Sequence, residues 1–223
     1  QENPVILTGN DQPHKRNGWQ GIVVLNSKPQ CEWSHVIIRD TNGISKNGWN
    51  LSGGISFYEA GIKMKNVEIT GNQSEDALNI IRSKFELTNI TIKNTTSDAL
   101  DSDFSSGIVE NGMFENIGSL GGGDGIDISG SKVSVIRTYF KNISDKALSV
   151  GEGSELKASD VNIKNVSIGA ASKDGSRLFI SNSKLTGIKK AGLLAYIKKS
   201  EYGSAEIMAE SLVFHSTEIK AIE

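Results

Sequence analysis

The chain returns to a Gly, Asn or Asp about every 22 residues, at Gly9, Asp40, Gly71, Asn94, Asn116, Asn142, Asn165 and Gly187. Each closes a short apolar alternation and one usually polar residue: VILTG, VIIRD, VEITG, ITIKN, GMFEN, TYFKN, VNIKN and SKLTG. These residue types tolerate a left-handed backbone at low cost. They make up roughly a quarter of the chain, so eight in one register is a strong coincidence to explain. A strand followed by a left-handed corner, repeated at 22 to 31 residues, is the signature of a solenoid.

A second column fixes the repeat from the other side. Gly21, Gly54, Ala77, Ala99, Gly125, Ala147, Gly169 and Gly192 each precede an apolar or small residue. From this column to the next corner the spacing is nearly constant: 17 residues from Ala77 to Asn94, 17 from Ala99 to Asn116, 17 from Gly125 to Asn142 and 18 from Ala147 to Asn165. From the corner to the next small residue it varies widely: 5 from Asn94 to Ala99, 9 from Asn116 to Gly125, 12 from Gly9 to Gly21 and 14 from Asp40 to Gly54. The coil is therefore the rigid part, and length varies at one loop site that recurs on the same edge.

The apolar runs are three to five residues long, β-branched and alternating. That excludes helical repeats, which need 3.6-residue periodicity over ten or more residues, and predicts short strands and turns. The Leu-x-x-Leu-x-Leu pattern of leucine-rich repeats is missing. One coil alone buries almost nothing, so stacking at the ordinary inter-strand spacing of ~4.8 Å must supply the core. Stacked Asn amides can then hydrogen-bond along the ladder. The expected fold is all-β: a right-handed parallel β-helix of about eight coils, forming a single domain over residues 1–223.

A net charge of −2 gives no electrostatic case for nucleic acid. No stretch approaches the ~20 apolar residues of a membrane span. The single cysteine, Cys31, excludes a disulfide framework and reads as an inert, wholly or partly buried thiol. Residues 4–9 already read as the end of a coil, which suggests a piece of a longer chain with neighbouring domains. Residues 196–214 depart from the repeat and read as a partial cap.

The stretches SEDALNI (74–80), SDALDSDFSSG (97–107), GGGDGIDISGSK (121–132), SDKALSVGEGS (144–154) and ASKDGS (171–176) carry a resemblance, as does GWQGIVVLNS (18–27). The chain resembles the right-handed parallel β-helix superfamily of pectate-lyase-like proteins. More specifically, it is similar to the β-helix modules of large secreted bacterial proteins that accompany spore-coat-H-like kinase or lamin-tail-like domains. The resemblance implies an extracellular or cell-surface location and a polysaccharide or glycan partner. It fixes no activity, because one superfold hosts many functions. The Arg/Lys motifs of pectate lyases and the full Asp set of polygalacturonases are not matched.

Candidate chemistry gathers beside the small-residue column. Asp76, Asp98 and Asp124 precede it, with Lys146 in the next coil. Two residues after it stand Asn79, Asp101 and Asp127, then Ser149. If Leu78, Leu100 and Ile126 point inward, Asn79, Asp101 and Asp127 form an outward polar stripe, with Asp103 farther along the same strand. Stacked carboxylates repel unless something compensates. A calcium ion held by Asp98, Asp101, Asp124 and Asp127 is one answer. A proton shared in an acid/base pair drawn from Asp101, Asp103 and Asp127 is a second. Bonds to turn amides, with no function, are a third.

Long loops insert at this edge, at 10–20, 41–53 and 117–124. They bring Lys15, Arg16, Trp19 and Trp49 toward the stripe as candidate saccharide contacts alongside Asp76, Asn79, Asp98 and Asp124. Both tryptophans follow Asn-Gly and could instead plug the end of the barrel. Three readings follow. The first is a polysaccharide-binding module. The second is a polysaccharide lyase, hydrolase or epimerase. The third is a structural spacer or adhesin stalk.

Overall fold

The computed structural model describes residues 3–9, 18–46, 48–217 and 219–222. The chain winds into a parallel β-solenoid with three strand ladders. The first face stacks β2 (Ile22–Leu25), β6 (Gly53–Tyr58), β8 (Asp76–Ile81), β10 (Asp98–Asp103), β13 (Ile126–Ser129), the second half of β15 (Tyr139–Gly151), the second half of β17 (Asn162–Lys173), β20 (Ala191–Tyr196) and β23 (Ala221–Ile222).

The second face stacks the first halves of β3 (Cys31–Arg39), β7 (Ile62–Thr70) and β9 (Lys84–Lys93), followed by β11 (Ser106–Glu110), β14 (Lys132–Ile136), β16 (Glu155–Ser159), β18 (Arg177–Ser181) and β21 (Glu206–Glu210). The third face begins with β1 (Val5–Leu7). It runs through the second halves of β3, β7 and β9, then β12 (Met113–Ile117), the starts of β15 and β17, β19 (Lys184–Thr186) and β22 (Val213–His215). The six coils from Gly53 to Thr186 have a full coil on both sides and hold most of the fully buried core; an outer coil flanks each end.

The interior is a set of aliphatic and aromatic columns. Leu78, Leu100, Ile126 and Leu148 stack in register and are all fully buried. Phe114 stacks on Phe140 with centroids 5.0 Å apart. Each such side chain contributes about 1.5–3 kcal/mol of burial that no isolated coil could provide.

The expected corner is present. Asp40, Gly71, Asn94, Asn116, Asn142, Asn165 and Gly187 all have φ between 55° and 73°, while Gly9 is not among the left-handed residues. The amides form a ladder: Asn116 donates to Asn94 (3.1 Å), Asn142 to Asn116 (2.9 Å) and Asn165 to Asn142 (3.3 Å). The small-residue column has a steric cause. A Cβ on Gly54 would lie 2.3 Å from Thr41 Oγ1, and one on Gly125 would lie 2.6 Å from the Ala147 carbonyl.

Each coil also has two further left-handed corners. One holds Glu59, Arg82, Phe104, Gly130, Glu152 and Asp174, and the other His35, Asn66, Asn89, Asn111, Arg137, Asp160 and Asn182. Just beyond the former lies a buried serine ladder. The amides of Ser83, Ser105, Ser131 and Ser154 each donate to the serine hydroxyl of the next coil, at 2.9–3.1 Å.

Among the described residues two insertions stand before the first face, and most of the third expected loop, 10–20, lies outside them. Residues 41–53 include an antiparallel hairpin of β4 (Ile44–Lys46) and β5 (Trp49–Leu51), and 117–124 forms a glycine-rich loop. The stretch expected to cap the C-terminal end instead forms β20, a 3-10 turn at Ser200–Tyr202, β21 and β22, in register with the coil before it. Cys31 is half-buried beside Ser27. No helix of the described residues is long and apolar enough to cross a membrane.

Candidate acidic site on the first face

The register places Asn79, Asp101 and Asp127 opposite one another on β8, β10 and β13, with Ser149 next on β15. Their inward neighbours Leu78, Leu100 and Ile126 are fully buried, so the stripe faces outward as the alternation requires. Asp76 and Asp98 pair one row earlier, and Asp103 lies two residues beyond Asp101 on the same strand.

The aspartates divide by what holds them. Asp98 Oδ1 accepts the amide of Asp124 (2.7 Å), and Asp124 Oδ1 accepts the amide of Lys146 (2.8 Å). These two are turn aspartates that tie one coil to the next. The Lys146 ammonium sits 3.4 Å from Asp124 and 2.5 Å from Asp145. Burial acts to lower the Lys146 pKa, but those two carboxylates hold it above the usual lysine value. Burial pushes Asp98 and Asp124 up to about 7 despite their amide bonds.

Asp101 accepts no backbone amide among the described residues. Its Oδ2 takes one N–H from Asn79 (3.0 Å), and the other N–H of that amide goes to Asp76 Oδ2 (3.1 Å). Asn79 is 2% exposed, and its Oδ1 has no hydrogen-bond partner in the described structure. Burial first, then the charges of Asp76, Asp103, Asp127 and Asp98, push Asp101 up to about 9. Asp101 is thus a neutral acid at pH 7. Asp76 rises to about 6, chiefly by burial, and Asp103 is also raised by burial and by Asp127 and Glu152.

Asp127 has a cation instead. The Lys173 ammonium reaches back two coils to lie 3.5 Å from Asp127 and 3.0 Å from Ser149 Oγ. It passes over Gly151, where a Cβ would come within 2.5 Å of its chain. Beyond it, Glu152 accepts bonds from Ser129 (2.6 Å) and Lys199 (2.5 Å). Burial would raise the Glu152 pKa, but these bonds and the lysine charges bring it below its usual value.

Calcium does not fit this arrangement. Among the described residues no three His, Cys, Asp or Glu side chains converge to hold a metal ion, and Asp98 and Asp124 each commit an oxygen to a turn amide. The candidate saccharide contacts also separate. Trp19 packs against the core with Nε1 bonded to the Arg39 carbonyl (2.7 Å), so it serves packing at this end. Trp49 is 50% exposed in the hairpin. Lys15 and Arg16 lie outside the described residues.

An aromatic that the sequence reading passed over stands at the stripe instead. Phe104 follows Asp103 directly, is 64% exposed and has φ 50°. Lys173 and Glu152 were also passed over. Their link to the stripe crosses coils, and the only signal in the sequence was the recurring register of residues 101–104, 149–152 and 171–174.

Fold and site together define a parallel β-solenoid with an acidic outward face. No protein-family model matches the sequence, and no curated protein matches it. Thirteen chains among the solved structures do match. One is the catalytic domain of a GH87 α-1,3-glucanase bound to tetrasaccharides, at 12% identity and TM-score 0.44, over 91% of this chain and 56% of that one. Another is the tailspike of Acinetobacter phage vb_AbaP_AS12, at 11% identity and TM-score 0.37, over 90% and 44%. A third is PfbA, a surface adhesin of Streptococcus pneumoniae, at 12% identity and TM-score 0.34, over 86% and 72%. The chain spans just over half of the glucanase domain. At these identities and scores, the likeness carries no inference about activity.

Proposed function

We propose that the chain is a polysaccharide-active protein, working outside the cell, that hydrolyses a glycosidic bond across its first face. Asp101 is the acid and Asp127 its carboxylate partner. The observation that carries this reading is the contrast between them. Asp101 is held protonated to about 9 with no backbone amide or cation against it among the described residues, while its register neighbour Asp127 is ion-paired with Lys173. Two carboxyl groups whose surroundings differ in this way are what acid/base glycoside chemistry needs. Asp101 would protonate the leaving oxygen. Lys173 and Ser149 would hold the partner side of the site in place, and Asn79 would fix the rotamer of Asp101.

Neighbouring rungs lie ~4.8 Å apart, whereas same-face residues on one strand lie roughly 6.6 Å apart. The first spacing is near the ~5–5.5 Å carboxyl separation of retaining enzymes, and the second is within the inverting range. With Asp103 itself raised in pKa, the partner is Asp127, which is ion-paired with Lys173, and retention of anomeric configuration is expected. The test is release of reducing ends from a polysaccharide panel by the full chain, compared with Asp101→Asn and Asp127→Asn. Activity that survives both substitutions would end the hydrolytic reading.

A non-cleaving binding module is the second reading, favoured by the exposed Phe104 ring beside the stripe. It predicts saccharide binding that both substitutions leave without any turnover to lose.

A further inference from the structure

Phe104 breaks two rules at once. A bulky residue in the left-handed region is a genuine outlier, disfavoured relative to the usual backbone. Other members of its corner column are Glu59, Arg82, Gly130, Glu152 and Asp174, polar residues or glycine. Phe104 is the apolar exception, and the corner turns its ring outward to 64% exposure rather than into the core.

The surroundings are shaped to that ring. Gly130, the next residue in the column, leaves the room it occupies: a Cβ there would lie 2.7 Å from the ring. On the preceding coil the Arg82 guanidinium lies 5.9 Å from the Phe104 centroid and 5.9 Å from that of Tyr58, and it donates to the Tyr58 hydroxyl at 2.7 Å. Tyr58, Arg82 and Phe104 thus form a braced platform along the edge of the first face. It begins one residue past Asp103 and three past Asp101.

We propose that this platform is a sugar-stacking subsite, in which a pyranose ring lies against Phe104 while the next linkage sits over Asp101. The ligand class is a neutral hexose polymer. Asp101, Asp103, Asp127 and Glu152 cluster at this end of the face. Lys173 is ion-paired with Asp127 and Lys199 with Glu152, while Arg82 donates to the neutral Tyr58 hydroxyl and keeps its charge against the two aromatic rings. A neutral sugar needs no counter-charge, whereas a uronate carboxylate would have to draw Lys173 or Lys199 from its carboxylate partner or pull Arg82 off the aromatic rings. This subsite rests on the hydrolytic or binding reading of the same face.

The test uses the full chain in an Asp101→Asn background, so that ligands stay intact. Calorimetry is run with gluco-, galacto- and manno-oligosaccharides and with oligogalacturonate, on Phe104 and on the Phe104→Ala, Phe104→Gly and Phe104→Trp variants. The expected result is binding of a neutral oligosaccharide that weakens on the order of fivefold in Phe104→Ala and is kept or strengthened in Phe104→Trp. Thermal melts provide the structural control. Phe104→Gly should melt at the same or a higher temperature, because the left-handed corner suits glycine.

Equal neutral-sugar affinity in Phe104→Ala overturns the platform while leaving the proposed function standing, and so does a lowered melting temperature in Phe104→Gly with unchanged affinity. Preference for oligogalacturonate overturns the ligand class. Failure of every oligosaccharide to bind or be cleaved, with Phe104 in place and Asp101 restored, overturns the reading of the face and the platform with it.

Discussion

Two polar columns run along this solenoid at the same one-coil spacing, and they solve the stacking problem in opposite ways. In the corner ladder Asn94, Asn116, Asn142 and Asn165 each offer a donor and an acceptor, so every rung satisfies the next. In the stripe of Asn79, Asp101 and Asp127, the carboxylates bring acceptors and charge but no donors. The single amide of Asn79 is divided between Asp76 and Asp101, and Lys173 must reach across two coils to serve Asp127. The first column lowers the free energy of stacking. The second raises it, and holds a proton on Asp101 to limit the damage. A fold that needed only spacing would repeat the first solution on every face.

The largest effect that separates the columns is on chemistry. Asp101→Asn and Asp127→Asn should each cut hydrolysis by about 10²-fold or more, the usual scale of a positioned acid or base. Asn116→Ala should leave the rate per folded molecule unchanged. Reducing-end assays on all three, with circular dichroism to verify folding, check this. Equal losses in all three would erase the contrast.

The next effect is on stability and runs the other way. Asn116→Ala removes one donor, one acceptor and a left-handed preference, for about 2 kcal/mol in all. In a chain of this size that lowers the melting temperature by roughly 4–8 °C. Asn116→Gly should lose about half as much, because it keeps the backbone freedom.

The stripe also makes stability depend on pH with a definite sign. Burial raises Asp76 to about 6, Asp98 and Asp124 to about 7, and Asp101 to about 9. In the unfolded chain all four titrate near ~4. Between those values the folded state binds more protons, so stability falls as pH rises from about 5 to 9. Glu152, shifted downward, loses its contribution only below its usual range and does not offset this. Melting temperature should decline across that window, and Asp101→Asn should flatten the upper part of the decline. A stability maximum at pH 8 would contradict the protonated Asp101.

The smallest expected effect is that of calcium. With no three ligands converging, millimolar calcium or its chelation should leave the melting temperature unchanged and give no saturable heat. A calcium-dependent rise would mean that the aspartates rearrange around the ion.

The repeat was legible because its corner uses residues that advertise their backbone. Asn94, Asn116, Asn142 and Asn165 are visible in the sequence as left-handed formers, and the ladder of amides follows from the period alone. The outward direction of Asp101 and Asp127 followed equally from the alternation with Leu100 and Ile126. The corner through Glu59, Arg82 and Phe104 was not legible, because none of these residue types favours the left-handed backbone it adopts. Closure of the three-sided coil imposes that conformation. Trp19 reads the same in sequence whether it stacks on sugars or plugs the barrel, and the indole bond to Arg39 decided for packing.

The sequence by itself determined the period, the parallel stacking and the face on which acids accumulate, because those depend on local spacing and on which residues turn cheaply. Tertiary structure alone decided which aspartates are tied to turn amides and which is left to carry a proton. It also decided that Lys173 serves Asp127 and that Phe104 stands exposed over Gly130. Those outcomes depend on which side chains meet across coils 22 to 46 residues apart, and on how much water remains between them.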